Sequence, residues 1–200
     1  MTGGLPVLPR NVKADGKPRA GGGAPIFLRF PALRSACLMV KSPGMSVSDL
    51  LPAPATGRFI AAVHHFPLRV YFEDTDLSGL VYHANYLRYM ERARSDMLRI
   101  AGIDQRANLE GGEGVYAVTD LQLHYRRPAR LDDELMVVSC VTKVGAASCS
   151  IHQTVMRDEE ILTQGDVSVA FLTPQGRPRR QPKPWIDIFS RLMRGEDINP

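Results

Sequence analysis

Cysteine is scarce in this 200-residue chain, and the three that occur, Cys37, Cys140 and Cys149, are odd in number and form no C-x-x-C pair. That excludes a disulfide framework and a thiolate metal cluster, and it fits thiols kept in a reducing compartment, so the expected location is cytoplasmic. Long apolar runs are also missing. The patch from Ile26 to Val40 is broken by Arg29, Pro31 and Arg34, which makes it too short and too interrupted to span a bilayer. It starts late for a signal peptide and has no clear small-residue cleavage pattern after it. Stable membrane insertion is therefore not expected. Several catalytic signatures are absent as well: no G-x-S-x-G elbow, no P-loop, no H-E-x-x-H, and no G-x-G-x-x-G after a strand.

Positive charge is lacking where a nucleic-acid-binding domain would need it. The chain is +4 overall, but residues 1 to 64 carry eight Lys/Arg against Asp15 and Asp49, and residues 65 to 200 carry 17 against 19. A slightly acidic body without a basic, aromatic-interleaved face argues against a nucleic-acid partner. The front of the chain has its own composition: up to Arg58 it holds eight of the 17 glycines and eight of the 15 prolines, with no sustained helical or strand period. Such a segment buries too little to offset its ordering entropy. Residues 1–64 are expected to form a disordered basic extension, and Met45 is an alternative start of translation. Residues 65–174 then form the folded domain, and residues 175–200 a Pro/Arg linker and a short amphipathic helix, Trp185 to Met193. That helix is expected to pack on its own or a neighbouring subunit, because three turns with few cations bind a membrane surface weakly.

What is present centres on Arg69 to Tyr86. Phe66, Leu68, Val70 and Phe72 alternate with Pro67, Arg69, Tyr71 and Glu73, the period of a strand with one buried face. An acidic turn follows, with Glu73, Asp74 and Asp76 within four positions and Gly79 as its pivot. Like charges held together in a partly buried turn cost stability, and such a cost marks a candidate site. After the turn, Tyr86, Tyr89/Met90, Ala93, Met97 and Ile100/Ala101 recur at helical spacing. Asn85 is expected to cap this helix and Gly102 to end it. Arg92 with Asp96 and Glu91 with Arg94 read as exposed ion pairs. Four strand-like runs come next: Val115 to Tyr125, Glu134 to Thr142, Ala147 to Arg157 and Ile161 to Leu172. The last three are joined by short links and should form an antiparallel meander. One long helix and about five strands make an α+β arrangement, with the helix covering one face of the sheet.

The chemistry follows from the turn. A carboxylate between a strand and a helix N-terminus lies beside free backbone N–H groups that can polarise a carbonyl and hold the oxyanion formed on attack. The carboxylate can attack that carbonyl or deprotonate a water that does. An amine leaving group needs a general acid, whereas a thiol of pKa ~8.5 departs as thiolate, so the pairing suits a thioester better than an amide. His64, His65, His124 and His152 receive no role, and no metal-ligand set is identifiable.

The run Arg69-Val-Tyr-Phe-Glu-Asp-Thr-Asp-Leu-Ser-Gly-Leu-Val-Tyr-His-Ala-Asn-Tyr86, continuing through Leu87 to Arg94, resembles the signature of the 4-hydroxybenzoyl-CoA thioesterase family, and most closely its Tol-Pal-associated bacterial acyl-CoA thioesterases. Residues 1–64 lie outside the resemblance. It implies a hot-dog fold, a curled antiparallel sheet around a long central helix, in a homodimer or homotetramer with active sites at subunit interfaces. It implies hydrolysis of an acyl-CoA or acyl-carrier-protein thioester, with coenzyme A as part of the substrate and no separate cofactor. The family aspartate falls on Asp76, after Thr75 and three before Gly79. The carbonyl-polarising backbone N–H falls on His83, whose side chain could also orient water or Asp76. Leu80 stands where Ile or Val is usual, a volume-conserving change. Glu73 and Asp74 would tune Asp76. Arg126 and Arg127, with Arg130 close by, could meet coenzyme A phosphates or be a solvated basic strand end. Two other readings remain open: an acyl-thioester hydratase or dehydratase of the same fold, and a non-catalytic acyl-carrier or envelope-complex adaptor.

Overall fold

The computed structural model describes residues 54–198, so expectations for residues 1–53, including Met45 as a start, lie outside the described residues. The element order is β1 (Arg58–Ile60), β2 (Val63–Arg69), a 3-10 turn (Phe72–Asp74), α1 (His83–Ile100), α2 (Gln105–Glu110), β3 (Val115–Tyr125), β4 (Glu134–Val144), β5 (Ser148–Arg157), β6 (Glu160–Leu172) and α3 (Lys183–Met193). The strands form one antiparallel sheet in the order β1-β2-β4-β5-β6-β3. The long helix α1 packs on its inner face, the hot-dog arrangement. Among the described residues no helix is long and apolar enough to cross a membrane.

The helical stripe read from the sequence is the buried face of α1: Tyr86, Tyr89, Met90, Ala93 and Met97 are all buried. Its first half meets Val70, Val81, Leu135, Val137, Val155 and Leu162. Its second half meets Val141, Ile151, Val167 and Phe171, together with Trp185, Phe189 and Leu192 of α3. The terminal helix therefore docks on its own subunit. Its approach is fixed rather than a free linker: Gln181 is buried, its backbone N–H donates to the Ala146 carbonyl (2.9 Å), and its amide donates to Gly145 (2.8 Å) and Ser148 (3.0 Å) carbonyls.

Several expectations are corrected. The sheet has six strands rather than about five, because Arg58–Ile60 pairs with Val63–His65, so the folded unit begins before residue 65. Phe72 is 82% exposed, since the chain leaves the strand at Val70 and coils into the 3-10 turn. Helix α1 starts at His83 after Tyr82, so Asn85 is an internal residue and not the cap. Asp96 is buried and pairs with Arg99 rather than Arg92, while Arg94 does hold Glu91 but from a buried position. Arg94 and Ser139 bind the buried Gln153 side chain, whose amide also donates to the Met90 carbonyl at 3.0 Å. A polar thread thus joins α1 to β4 and β5, and leaving any member unmatched would cost its full desolvation.

Gly165 shows how tightly β6 meets β3. A Cβ there would lie 2.4 Å from Leu123 Cδ2 and 2.5 Å from the Gln122 carbonyl oxygen. Backbone on one side leaves no room to yield, so Gly165→Ala is expected to lower unfolding stability by about 1–3 kcal/mol. Urea melts would read this, and an unchanged midpoint would show that β3 moves freely.

Candidate active site

Asp76 begins a tight turn. Its backbone carbonyl accepts from Gly79 N–H (2.9 Å), its own N–H donates to Leu80 (2.9 Å), and Thr75 pairs with Val81 across the loop. Gly79 takes φ +74°, which an L residue adopts only with strain. The Ser78 backbone N–H donates to Asp76 Oδ1 at 2.8 Å and the Ser78 hydroxyl donates to the same oxygen. Oδ2 accepts no bond from the described residues. The Ser78 hydroxyl and N–H hold the Asp76 carboxyl below its ordinary range, with smaller help from Leu80 and the nearby His83. The group is exposed and ionised.

The loop is pinned to the helix that follows. The Asp74 carbonyl accepts from Tyr82 N–H (2.9 Å) and from the buried Asn85 amide (2.8 Å), while the Asp74 carboxylate accepts from Tyr71 N–H (2.9 Å). Of the three carboxylates only Asp74 is buried. It serves the turn's architecture, and neither it nor Glu73 is among the groups that shift the Asp76 carboxyl. No side chain caps α1 and the Asn85 N–H donates to the Tyr82 carbonyl (2.8 Å), so the His83 and Ala84 N–H groups stay available at the positive end of the helix dipole.

Asp76 and His83, the two sequence-predicted residues, line one depression together with Ser78, Tyr86, Tyr125 and Arg126–Arg127. The His83 ring lies 4.4 Å from that of Tyr82 and edge-on to Tyr125 at 6.4 Å. Tyr125 donates its hydroxyl to the His83 carbonyl at 3.1 Å. Tyr86 accepts from Ala129 N–H at 2.9 Å, tying the loop after β3 to α1, and burial pushes its phenol up. Sequence reasoning missed Ser78, Tyr125 and the true role of Asn85. Ser78 carried a local signal, since an Asp often turns back on a donor two residues later. Tyr125 carried none, because its contact crosses 42 positions. Among the described residues no three His, Cys, Asp or Glu side chains converge on a possible metal position.

Residues 78–164 match the family model described as Thioesterase superfamily, a span that opens just after Asp76. The chain is 43% identical over 105 residues to "Acyl-CoA thioesterase YbgC" of Haemophilus influenzae, covering 52% of this chain and 77% of that protein. It is 36% identical over 128 residues to "Acyl-CoA thioester hydrolase YbgC" of Escherichia coli O157:H7, covering 63% and 95%. A solved structure, a probable thioesterase from Bartonella henselae, superposes with a TM-score of 0.58 at 34% identity, covering 60% of this chain and 99% of that one. With a relative matched over almost its whole length, and with the sheet, helix and acidic turn in one frame, the chain belongs to the thioesterase superfamily.

Proposed function

We propose that this protein hydrolyses the thioester of an acyl-CoA to the free acid and thiol, with Asp76 as the catalytic carboxylate. The observation that carries this reading is the fastening of an ionised, outward-facing Asp76 carboxylate beside the uncapped start of α1. The backbone N–H of His83 polarises the thioester carbonyl and receives the developing oxyanion. Asp76 either attacks the acyl carbon, giving a mixed anhydride that water then opens, or takes a proton from the water that attacks. In both routes the acyl C–S bond breaks, the thiolate departs and is protonated, and one water is consumed. The relatives named for acyl-CoA hydrolysis support coenzyme A as carrier. The proposed catalytic unit runs from β1 to β6, with α3 completing its core.

The same reading makes the protein an oligomer. Strand β3 is an edge of the sheet among the described residues, and its Val118, Leu121 and Tyr125 are 48%, 39% and 49% exposed. An apolar edge of this length invites a second strand. Light scattering at micromolar protein is expected to give a dimer or tetramer, and a monomer would remove this part of the proposal.

The direct test is thiol release from short, medium, long and aromatic acyl-CoAs. Turnover of at least one class is expected. No turnover across the panel, with retained binding of acyl carriers, would replace the hydrolase with an adaptor.

A further inference from the structure

Resting on the hydrolase reading, we propose that Asn85 is a positioning residue that sets the oxyanion donor against the catalytic carboxylate: its side-chain amide binds the backbone carbonyl of Asp74 and so fixes the His83 N–H relative to Asp76. Asp74 stands two residues before Asp76, and Asn85 two residues after His83. The single hydrogen bond between them, 2.8 Å long, therefore closes the frame that carries both reacting groups. An oxyanion hole works by being in place before the charge develops, and a misplacement of about 1 Å can cost roughly a hundredfold in rate.

The geometry exceeds what folding requires. The Asp74 carbonyl already accepts from Tyr82 N–H at 2.9 Å, and one such bond satisfies a buried carbonyl. Asn85 brings a second donor to the same oxygen from a buried position, although asparagine is a poorer helix former than alanine or leucine. Its backbone is committed too, with its N–H donating to the Tyr82 carbonyl at 2.8 Å. His83 and Ala84 are thus bracketed by two residues that grip one carbonyl. That carbonyl is itself anchored: Asp74 is buried, its N–H donates to the Tyr71 carbonyl (3.0 Å) and its carboxylate accepts from Tyr71 N–H (2.9 Å). Tyr89, one turn along α1 from Asn85, is wholly buried, and burial together with the Asp74 carboxylate pushes its phenol up. On the other side of the turn Thr75 pairs with Val81 and the Asp76 N–H holds the Leu80 carbonyl, so a displacement of Asp74 carries Asp76 with it. Asn85 itself does not line the depression that holds Asp76 and His83. It acts on the reaction through those two residues, as a clamp.

The test compares wild type with Asn85→Ala and Asn85→Ser, each in the full chain, on the preferred acyl-CoA. Asn85→Ala is expected to lower kcat roughly 10- to 100-fold while KM stays within about twofold. Its urea midpoint should move little, because Tyr82 still satisfies the Asp74 carbonyl. Asn85→Ser keeps a hydroxyl donor on that face and should lose less; if the alanine variant fails to fold, the serine variant carries the same comparison. The substrate carbonyl supplies a readout that a purely structural residue would not move. In an Asp76→Asn background, which holds the substrate unreacted, isotope-edited infrared of an acyl-CoA labelled with ¹³C at its thioester carbonyl should place the C=O band below its position in solution, since the His83 N–H draws charge onto the oxygen. Adding Asn85→Ala should return the band towards the solution position. A band that Asn85→Ala leaves unmoved, a kcat within about threefold of wild type, or a rise in KM in place of the fall in kcat would overturn the proposal while leaving hydrolysis by Asp76 intact. A wild type that turns over no acyl-CoA would instead remove the hydrolase reading, and the clamp with it.

Discussion

Asp76→Asn is expected to lower kcat on the preferred acyl-CoA by about 10³-fold or more while the fold and substrate KM change little. The substitution keeps shape and keeps an oxygen for the Ser78 N–H and hydroxyl, but it removes both nucleophile and base. Because Ser78 holds the carboxyl of Asp76 below its usual range, the active ionised form persists as the pH falls. The acid limb of kcat/KM is therefore expected below the ordinary carboxylate region. Ser78→Ala removes the hydroxyl donor, so the limb should move upward, and only a group acting through Asp76 would shift it. Single turnover in ¹⁸O water bears on the route: label entering the Asp76 side chain marks a mixed anhydride opened at the Asp76 carbonyl, and label only in the product acid marks attack of water at the acyl carbon, on the thioester or on the anhydride. Full activity of the asparagine variant would place the catalytic carboxylate elsewhere.

The acidic turn and the helix were legible because their signals are local. Gly79 has to adopt a positive φ within a four-residue turn, the α1 stripe repeats every three to four residues, and the β4-β5-β6 meander is marked by its short links. What escaped the sequence lies in long-range contacts or unusual local chemistry. The β1–β2 hairpin turns on Ala61 and Ala62, at φ 47° and 66°, where Asn-Gly would have announced it. Asn85 looked like a cap because caps are read one residue at a time. The Asp74 carbonyl, eleven positions earlier, claims its amide. Asp96 looked like half of a surface ion pair, since i,i+4 spacing cannot reveal that β2 covers that face of α1.

That buried aspartate sets the second large effect. Asp96 is 2% exposed and its oxygens accept from the Gly57 N–H (2.7 Å), His64 Nε2–H (3.0 Å), the Thr56 hydroxyl (3.2 Å) and Arg99 (3.0 Å). It staples the entry to β1 and the start of β2 onto the second half of α1. Asp96→Ala strands several of these donors at once, above all the fully buried His64, and is expected to cost about 3–5 kcal/mol. For a unit of this size that is roughly a 10–20 °C fall in Tm. Asp96→Asn, which retains one accepting oxygen, should cost less. A loss under about 1 kcal/mol for the alanine variant would mean that the staple contributes no more than an exposed pair. His64 gives the staple a pH signature. Its Nδ1 is buried with no partner among the described residues, and burial pulls the imidazole below its ordinary pKa of 6.5, against the opposing pull of Asp96. The folded state thus binds fewer protons at this ring than the unfolded chain does. Its contribution is complete above about pH 6.5 and drains away as the pH drops toward the lower, folded value. Denaturant midpoints followed from pH 7.5 to 5 should fall more steeply in wild type than in His64→Asn, where nothing at that position titrates.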